Sequence, residues 1–153
     1  YMRPAPGSRP TYRYVGSTAK SCDGWDSLGD LGYFDADGFL YLNDRRVDMF
    51  TVGGRNVYPA EIESALAQHP EVLSSLAVGV PDDDLGQVPH VIVQADGLDE
   101  TDVLTFLAGR VAPYKVPRTV ELTDRPLRDD AGKARRSAVR DEVISRRQAR
   151  SRR

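Results

Sequence analysis

Lysine is rare in this chain. Of 21 basic residues, only Lys20, Lys115 and Lys133 are lysines. Lys133 follows Gly132 within PLRDDAGKARRSAVR, where every other basic residue is an arginine. An ammonium on a flexible stem is a compact point charge, whereas a guanidinium is a broad planar fork. A lone lysine in that setting suits a cation that must reach an anionic group in a confined place; a surface lysine is the plain alternative. Gly53-Gly54 is a second chemical feature. Paired glycines let a backbone approach a ligand closely, and they equally end a strand in a turn. The run DADG (35–38) lacks the spaced acidic ligands and closing glutamate of a calcium loop, and reads as a turn. His69, His90 and Cys22 lie too far apart to suggest a metal-ligand cluster, so no protein-bound metal is expected.

Composition bounds the rest. The chain has 153 residues, 40% hydrophobic and 29% charged, which fits one soluble domain or one domain with a piece of another. No apolar run approaches a membrane span. The N-terminal YMRPAPGSRP has no signal-peptide core and no natural start, which suggests a trimmed chain. One cysteine excludes an internal disulfide and fits a reducing, cytoplasmic setting. The net charge is −2, yet nine basic residues from Lys133 onward face only Asp141 and Glu142. Such a tail attracts phosphates or acidic surfaces, or is a solvated helix end. RRQARSRR carries no interleaved aromatics, so nucleic-acid binding is not expected.

These residues need elements to hold them. Prolines and glycines through residues 1–24 exclude a long helix. Residues 12–15 and 25–28 are short strand candidates, and YFDADGFLYLN reads as a hairpin. The charged run 44–48 interrupts two apolar strands, the second stopped by Gly53-Gly54. A helix follows over 59–68, opened by Pro59 with Ile62, Ala65 and Leu66 on one face. Strands are expected at 72–80, 90–95 and 119–122, a second helix at 99–111, and a last helix from about Gly132 into the arginine tail. The fold class is thus α+β: a small sheet packed with about three helices. It covers 49–153 with its basic tail. Residues 1–44 form a β-rich remnant of a different unit, and 45–48 connect the two.

Four stretches in order, GDLGYFDADGFLYL, DRRVDMFTVGGRNVYPAEIE, APYKVP and DDAGKARR, resemble the adenylate-forming (AMP-binding) superfamily of acyl-CoA synthetases, luciferases and peptide-synthetase adenylation domains. The chain looks most like the small C-terminal domain of an acyl-CoA synthetase (a fatty-acid–CoA ligase), preceded by the end of its large N-terminal domain. The resemblance implies ATP, Mg2+ and CoA as cofactors and a carboxylic acid as substrate. A carboxylate attacks the α-phosphate of ATP to give an acyl-adenylate and pyrophosphate, and a thiol then attacks the adenylate. Lys133 would be the catalytic cation for the first step. Asp30 would accept hydrogen bonds from the ribose hydroxyls, Arg45 would contact the same ribose, and Leu42 would lie against the nucleotide. Gly53 and Gly54 would meet the pantetheine arm of CoA. Val47 and Asp48 would be the hinge about which the small domain turns between half-reactions.

Plainer readings stand beside these: a turn aspartate for Asp30, a solvated charge for Arg45, a strand core residue for Leu42. Glu61 reads as structural. The sequence departs from the family at Leu28 (threonine or serine is usual), at Val47 (aspartate or lysine), and in a Pro126–Lys133 spacing one residue longer than usual. The family's phosphate loop and acyl pocket lie in the large domain, so the chain is expected to be inactive alone, with its own N-terminal domain as partner. A free-standing binding module, or an adenylation domain serving a carrier protein, are the alternative readings.

Overall fold

Turn chemistry and strand pairing organise the N-terminal part. The computed structural model describes residues 20–23, 25–27, 29–45 and 48–151, with the backbone alone for 20–22, 43–45 and 151. The strand expected at 12–15, Leu28 and the expected hinge residue Val47 lie outside the described residues. Two compact units divide the chain, Tyr1–Val47 and Asp48–Arg153.

In the first unit, β1 (Lys20–Cys22) pairs with β2 (Trp25–Ser27), and β3 (Asp30–Phe34) with β4 (Leu40–Arg45), both antiparallel. The Asp35 carboxylate accepts the backbone N–H groups of Phe39 at 2.9 Å and Asp37 at 3.0 Å. The Phe39 N–H in particular holds this carboxyl below its ordinary 3.8. The acidic DADG run is therefore a side-chain-closed turn. Asp44 and Arg45 continue β4 opposite Leu31 and Asp30. The charged run 44–48 thus begins inside a strand, correcting the expectation of an interruption, because the ladder with β3 outweighs the polar sequence.

In the second unit, β5 (Phe50–Val52) and β6 (Arg55–Val57) form a hairpin, followed by α1 (Pro59–Leu66), β7 (Val72–Asp82) and β8 (Gly86–Ala95). Then come α2 (Glu100–Leu107), a 3-10 turn (Pro113–Lys115), β9 (Thr119–Thr123) and α3 (Arg136–Ser151). The sheet order is β7-β8-β9, antiparallel then parallel. A parallel pair requires a crossover, and α2 supplies it. One core joins Phe50, Val57, Ile62, Leu66, Val91 and Leu107; the other joins Val78, Val80, Val88 and Ile92 to Val143 of α3. Both sheet faces are covered, which is why LAVGV and VIV read as continuous apolar runs.

Boundaries moved for identifiable reasons. The chain after α2 turns extended at Ala108 (ψ 120°), so the helix stops at Leu107 instead of 111. Strand β8 starts before Pro89, at Gly86. On the β9 side the Pro89 carbonyl accepts the Arg118 N–H at 2.9 Å and the residue-by-residue ladder begins at His90, so Pro89, which lacks an N–H, stands at the end of that ladder. Helix α3 starts at Arg136, not near Gly132. Strand β6 was not anticipated.

Candidate active-site loops

Lys133 lies in the segment between β9 and α3, held from below by Asp129. The Asp129 carboxylate accepts the N–H of Lys133 at 2.9 Å and of Ala131 at 3.1 Å, and the Asp129 N–H donates to the Lys133 carbonyl at 3.1 Å. Gly132 takes φ +72°, a left-handed conformation that ordinary side chains resist. Local bonds of this kind compete with helix, which is why α3 starts only at Arg136. The backbone at Lys133 is therefore fixed while its side chain is exposed. Among the described residues its ammonium makes no ion pair or hydrogen bond. Lys115 differs. Its ammonium is bonded to Glu61 and lies 5.5 Å from the Tyr114 ring centre. Burial works against that charge, but the Glu61 hydrogen bond and carboxylate outweigh it and raise the pKa above 10.5. Glu61 is thus the partner of Lys115.

Gly53 and Gly54 form the two-residue turn of the β5–β6 hairpin, with φ +53° and +78°. Two successive positive φ values define the tight turn that matches strand twist, so the glycines are required by geometry. The Gly53 N–H donates to the Leu85 carbonyl at 3.0 Å, tying this turn to the one between β7 and β8. A Cβ on Gly54 would meet nothing within 4 Å, so this side of the turn is open. Beside it lies a cavity of about 540 Å³ lined by Val52, Gly53, Arg55, Leu85, Tyr114 and Arg118, among others. Arg55 stacks over Tyr114 at 5.1 Å. A concave, partly apolar surface with two guanidinium groups suits a ligand bearing both an apolar stem and anionic groups. Sequence reasoning missed Arg55, Tyr114 and Arg118. The signal was the alternation GGRNV, which places Arg55 on a second hairpin strand.

In the first unit, Asp30 and Arg45 are direct cross-strand partners, so the two residues expected to share one ribose stand opposite each other. Asp30 is exposed; of Arg45 the backbone alone is described. Leu42 pairs with Gly32 and is 67% exposed within this chain. Tyr33, Phe34, Phe39, Leu40 and Tyr41 are also exposed within this chain, with the cross-strand pair Tyr33–Tyr41 stacked at 5.2 Å and the next pair, Phe34–Leu40, on the other face of the hairpin.

Asp48, the first residue of the second unit, is 3.4 Å (Oδ2) from Arg136 Nε. A second polar cleft lies between β9 and α3, lined by His90, Glu121, Arg146 and Arg147 among others. His90 is buried, with Nδ1 2.8 Å from Thr119 Oγ1 and Nε2 3.9 Å from Glu121 Oε2. Among the described residues, no group of three or more His, Cys, Asp or Glu stands together as a metal cage, and no helix is long and apolar enough to cross a membrane.

Residues 61–133 match the model of the AMP-binding enzyme C-terminal domain. A 2-succinylbenzoate–CoA ligase of Bacillus licheniformis is 46% identical over 115 residues, covering 74% of this chain and 24% of the relative. A fatty acid–[acyl-carrier-protein] ligase, ScoC of Streptomyces coeruleorubidus, is 42% identical over 122 residues, covering 78% and 24%. The structure of o-succinylbenzoate CoA synthetase from Bacillus subtilis, in complex with its acyl-adenylate intermediate, superposes with a TM-score of 0.71 at 38% identity, covering 79% of this chain and 25% of that one. The chain thus spans about a quarter of the length of these relatives.

Proposed function

We propose that the chain, which is similar over residues 61–133 to the AMP-binding enzyme C-terminal domain and over most of its length to CoA ligases, is the mobile C-terminal part of an AMP-forming acid–thiol ligase, an acyl-CoA synthetase. A carboxylate oxygen bonds to the α-phosphorus of ATP, the bond to pyrophosphate breaks, and a thiol then takes the acyl group as AMP leaves. Lys133 brings its ammonium to the carboxylate and α-phosphate oxygens during the first step, where negative charge gathers. Asp30 and Arg45 hold the ribose, with Leu42 against the nucleotide.

In the second step the Gly53-Gly54 turn borders the path of the pantetheine thiol. Its open side and the adjoining Arg55–Tyr114–Arg118 cavity support that reading. Val47 and Asp48 form the hinge that exchanges one loop for the other. Mg2+ offsets phosphate charge when bound. It commonly travels with triphosphate and keeps most of its waters. The lone Cys22, ATP and CoA together suit the cytoplasm.

One observation carries the proposal. Lys133 has a fixed backbone and an ammonium that no described residue engages, whereas Lys115 in the same unit is held by Glu61. The acceptor is CoA or a carrier protein, as the Bacillus and Streptomyces relatives respectively are named. The exposed apolar hairpin of the first unit is the surface the large domain would cover. The test is product analysis on the intact enzyme with ATP, Mg2+, CoA and a panel of carboxylates. AMP and pyrophosphate should form one for one with thioester, and residues 1–153 alone should form none. ADP and phosphate as products would contradict the proposal.

A further inference from the structure

Lys133 sits on an irregular segment, 124–135, whose far end is Arg136 at the start of α3. The Arg136 guanidinium is 17% exposed and engages three groups from three places. Its Nε lies 3.4 Å from Asp48 Oδ2. Its Nη1 donates to the Ala77 carbonyl at 2.7 Å and to Glu63 Oε1, and Nη2 donates to Glu63 Oε2 at 3.3 Å. Glu63 Oε1 also accepts the Ala77 N–H at 2.8 Å. Because β7 is an edge strand, the outward N–H and C=O of Ala77 have no strand partner, and Glu63 with Arg136 satisfies both. Only a planar fork of donors serves a carboxylate, a carbonyl and a second carboxylate at once, so arginine is needed here as lysine is at 133.

Glu63 and Ala77 are enough to dock α3 on the sheet, and Arg140 repeats the device one turn later by donating to the Gly79 carbonyl at 2.9 Å. Asp48 is not needed for that docking. What it adds is a link from the first residue of the second unit to the base of the Lys133 segment. We propose, on the reading of Lys133 as the adenylation cation and of 47–48 as the hinge, that Arg136 is a positioning residue: through Asp48 it joins the hinge end to the Lys133 segment. A turn at the hinge is then carried to the ammonium instead of being absorbed in residues 124–135. A misplacement of about 1 Å in a reacting geometry costs on the order of a hundredfold in rate.

The experiment compares Asp48→Ala, Asp48→Asn, Arg140→Ala and Lys133→Ala in the intact enzyme. Carboxylate-dependent ATP–pyrophosphate exchange and thioester formation from supplied acyl-adenylate are measured separately, with melting temperatures. Asp48→Ala should lower kcat for exchange by about tenfold to a hundredfold, lower the thioester step by clearly less, leave the KM for ATP unchanged, and barely move the melting temperature. Asp48→Asn, which keeps the shape of the side chain but removes its charge beside Nε, should recover at most part of the exchange. Arg140→Ala should lower the melting temperature without altering the ratio of the two half-reactions. Wild-type exchange in Asp48→Ala, or a parallel fall of both half-reactions, overturns the positioning role while leaving Lys133→Ala defective. Full exchange in Lys133→Ala instead overturns the reading on which the inference rests.

Discussion

At the scale of single residues, neighbours decide which charges are available. Lys115 is held by Glu61, Arg136 by Asp48 and Glu63, and Arg146 by Glu121 at 3.0 Å. Lys133 is bound, among the described residues, only through its backbone. Spacing in the sequence pointed to Lys133 and to the Gly-Gly turn, because a rare residue type and a paired glycine are local signals. Glu63 and Arg136 left no such signal, since they lie far apart in sequence and meet only when α1 and α3 flank β7. His90 supplies a test of the described geometry. Burial lowers its pKa below the ordinary 6.5; Glu121 acts in the opposite sense, and Arg147 and Arg146 add to the lowering. The unfolded chain therefore takes up a proton that the folded chain refuses, so stability is full above 6.5 and falls as pH drops below it. Denaturant titrations between about pH 7.5 and pH 5 should show this decline, and His90→Gln should flatten it. An equally steep decline in the variant would exclude His90 as its source.

At the scale of elements, packing sets the tolerance of the sheet that carries the site. A Cβ on Gly79 of β7 would lie 2.5 Å from the Phe50 ring and 2.5 Å from Gln87 Oε1. Gly79→Ala should therefore destabilise the second unit by about 1–3 kcal/mol, measured by urea unfolding, because the ring must shift in a filled core. Helix α2 begins with a reciprocal cap: Asp99 Oδ1 accepts the Asp102 N–H at 2.9 Å, and Asp102 Oδ2 accepts the Asp99 N–H at 3.0 Å. Asp99→Ala should cost about 1 kcal/mol by the same measurement.

Elements with strong periodicity or a clear start, such as α1 after Pro59 and the apolar β7, were legible in the sequence. Limits set by tertiary pairing were not. The strand expected from residue 90 extends back through Pro89 to Gly86, because its pairing with β7 reaches that far. The start of α3 depended on the bonds Asp129 makes to the Lys133 segment.

At the scale of the whole chain, every buried apolar side chain among the described residues lies between Phe50 and Val143, inside the second unit. Residues 48–153 alone should therefore unfold in one cooperative transition with the same denaturant midpoint as residues 1–153. A clearly lower midpoint would mean that the first unit stabilises the second. Sequence and comparisons agree on the family.

The central claim is that two loops of one domain serve two different half-reactions. Its most direct test measures both half-reactions in the intact enzyme for Lys133→Ala and Gly54→Asn. Asparagine tolerates the positive φ of residue 54 and places a side chain in the open space beside the turn. The account predicts a crossed pattern. Lys133→Ala loses adenylate formation by about a hundredfold or more and keeps thioester formation, while Gly54→Asn keeps the first and loses the second. Both variants failing in the same half-reaction would contradict it.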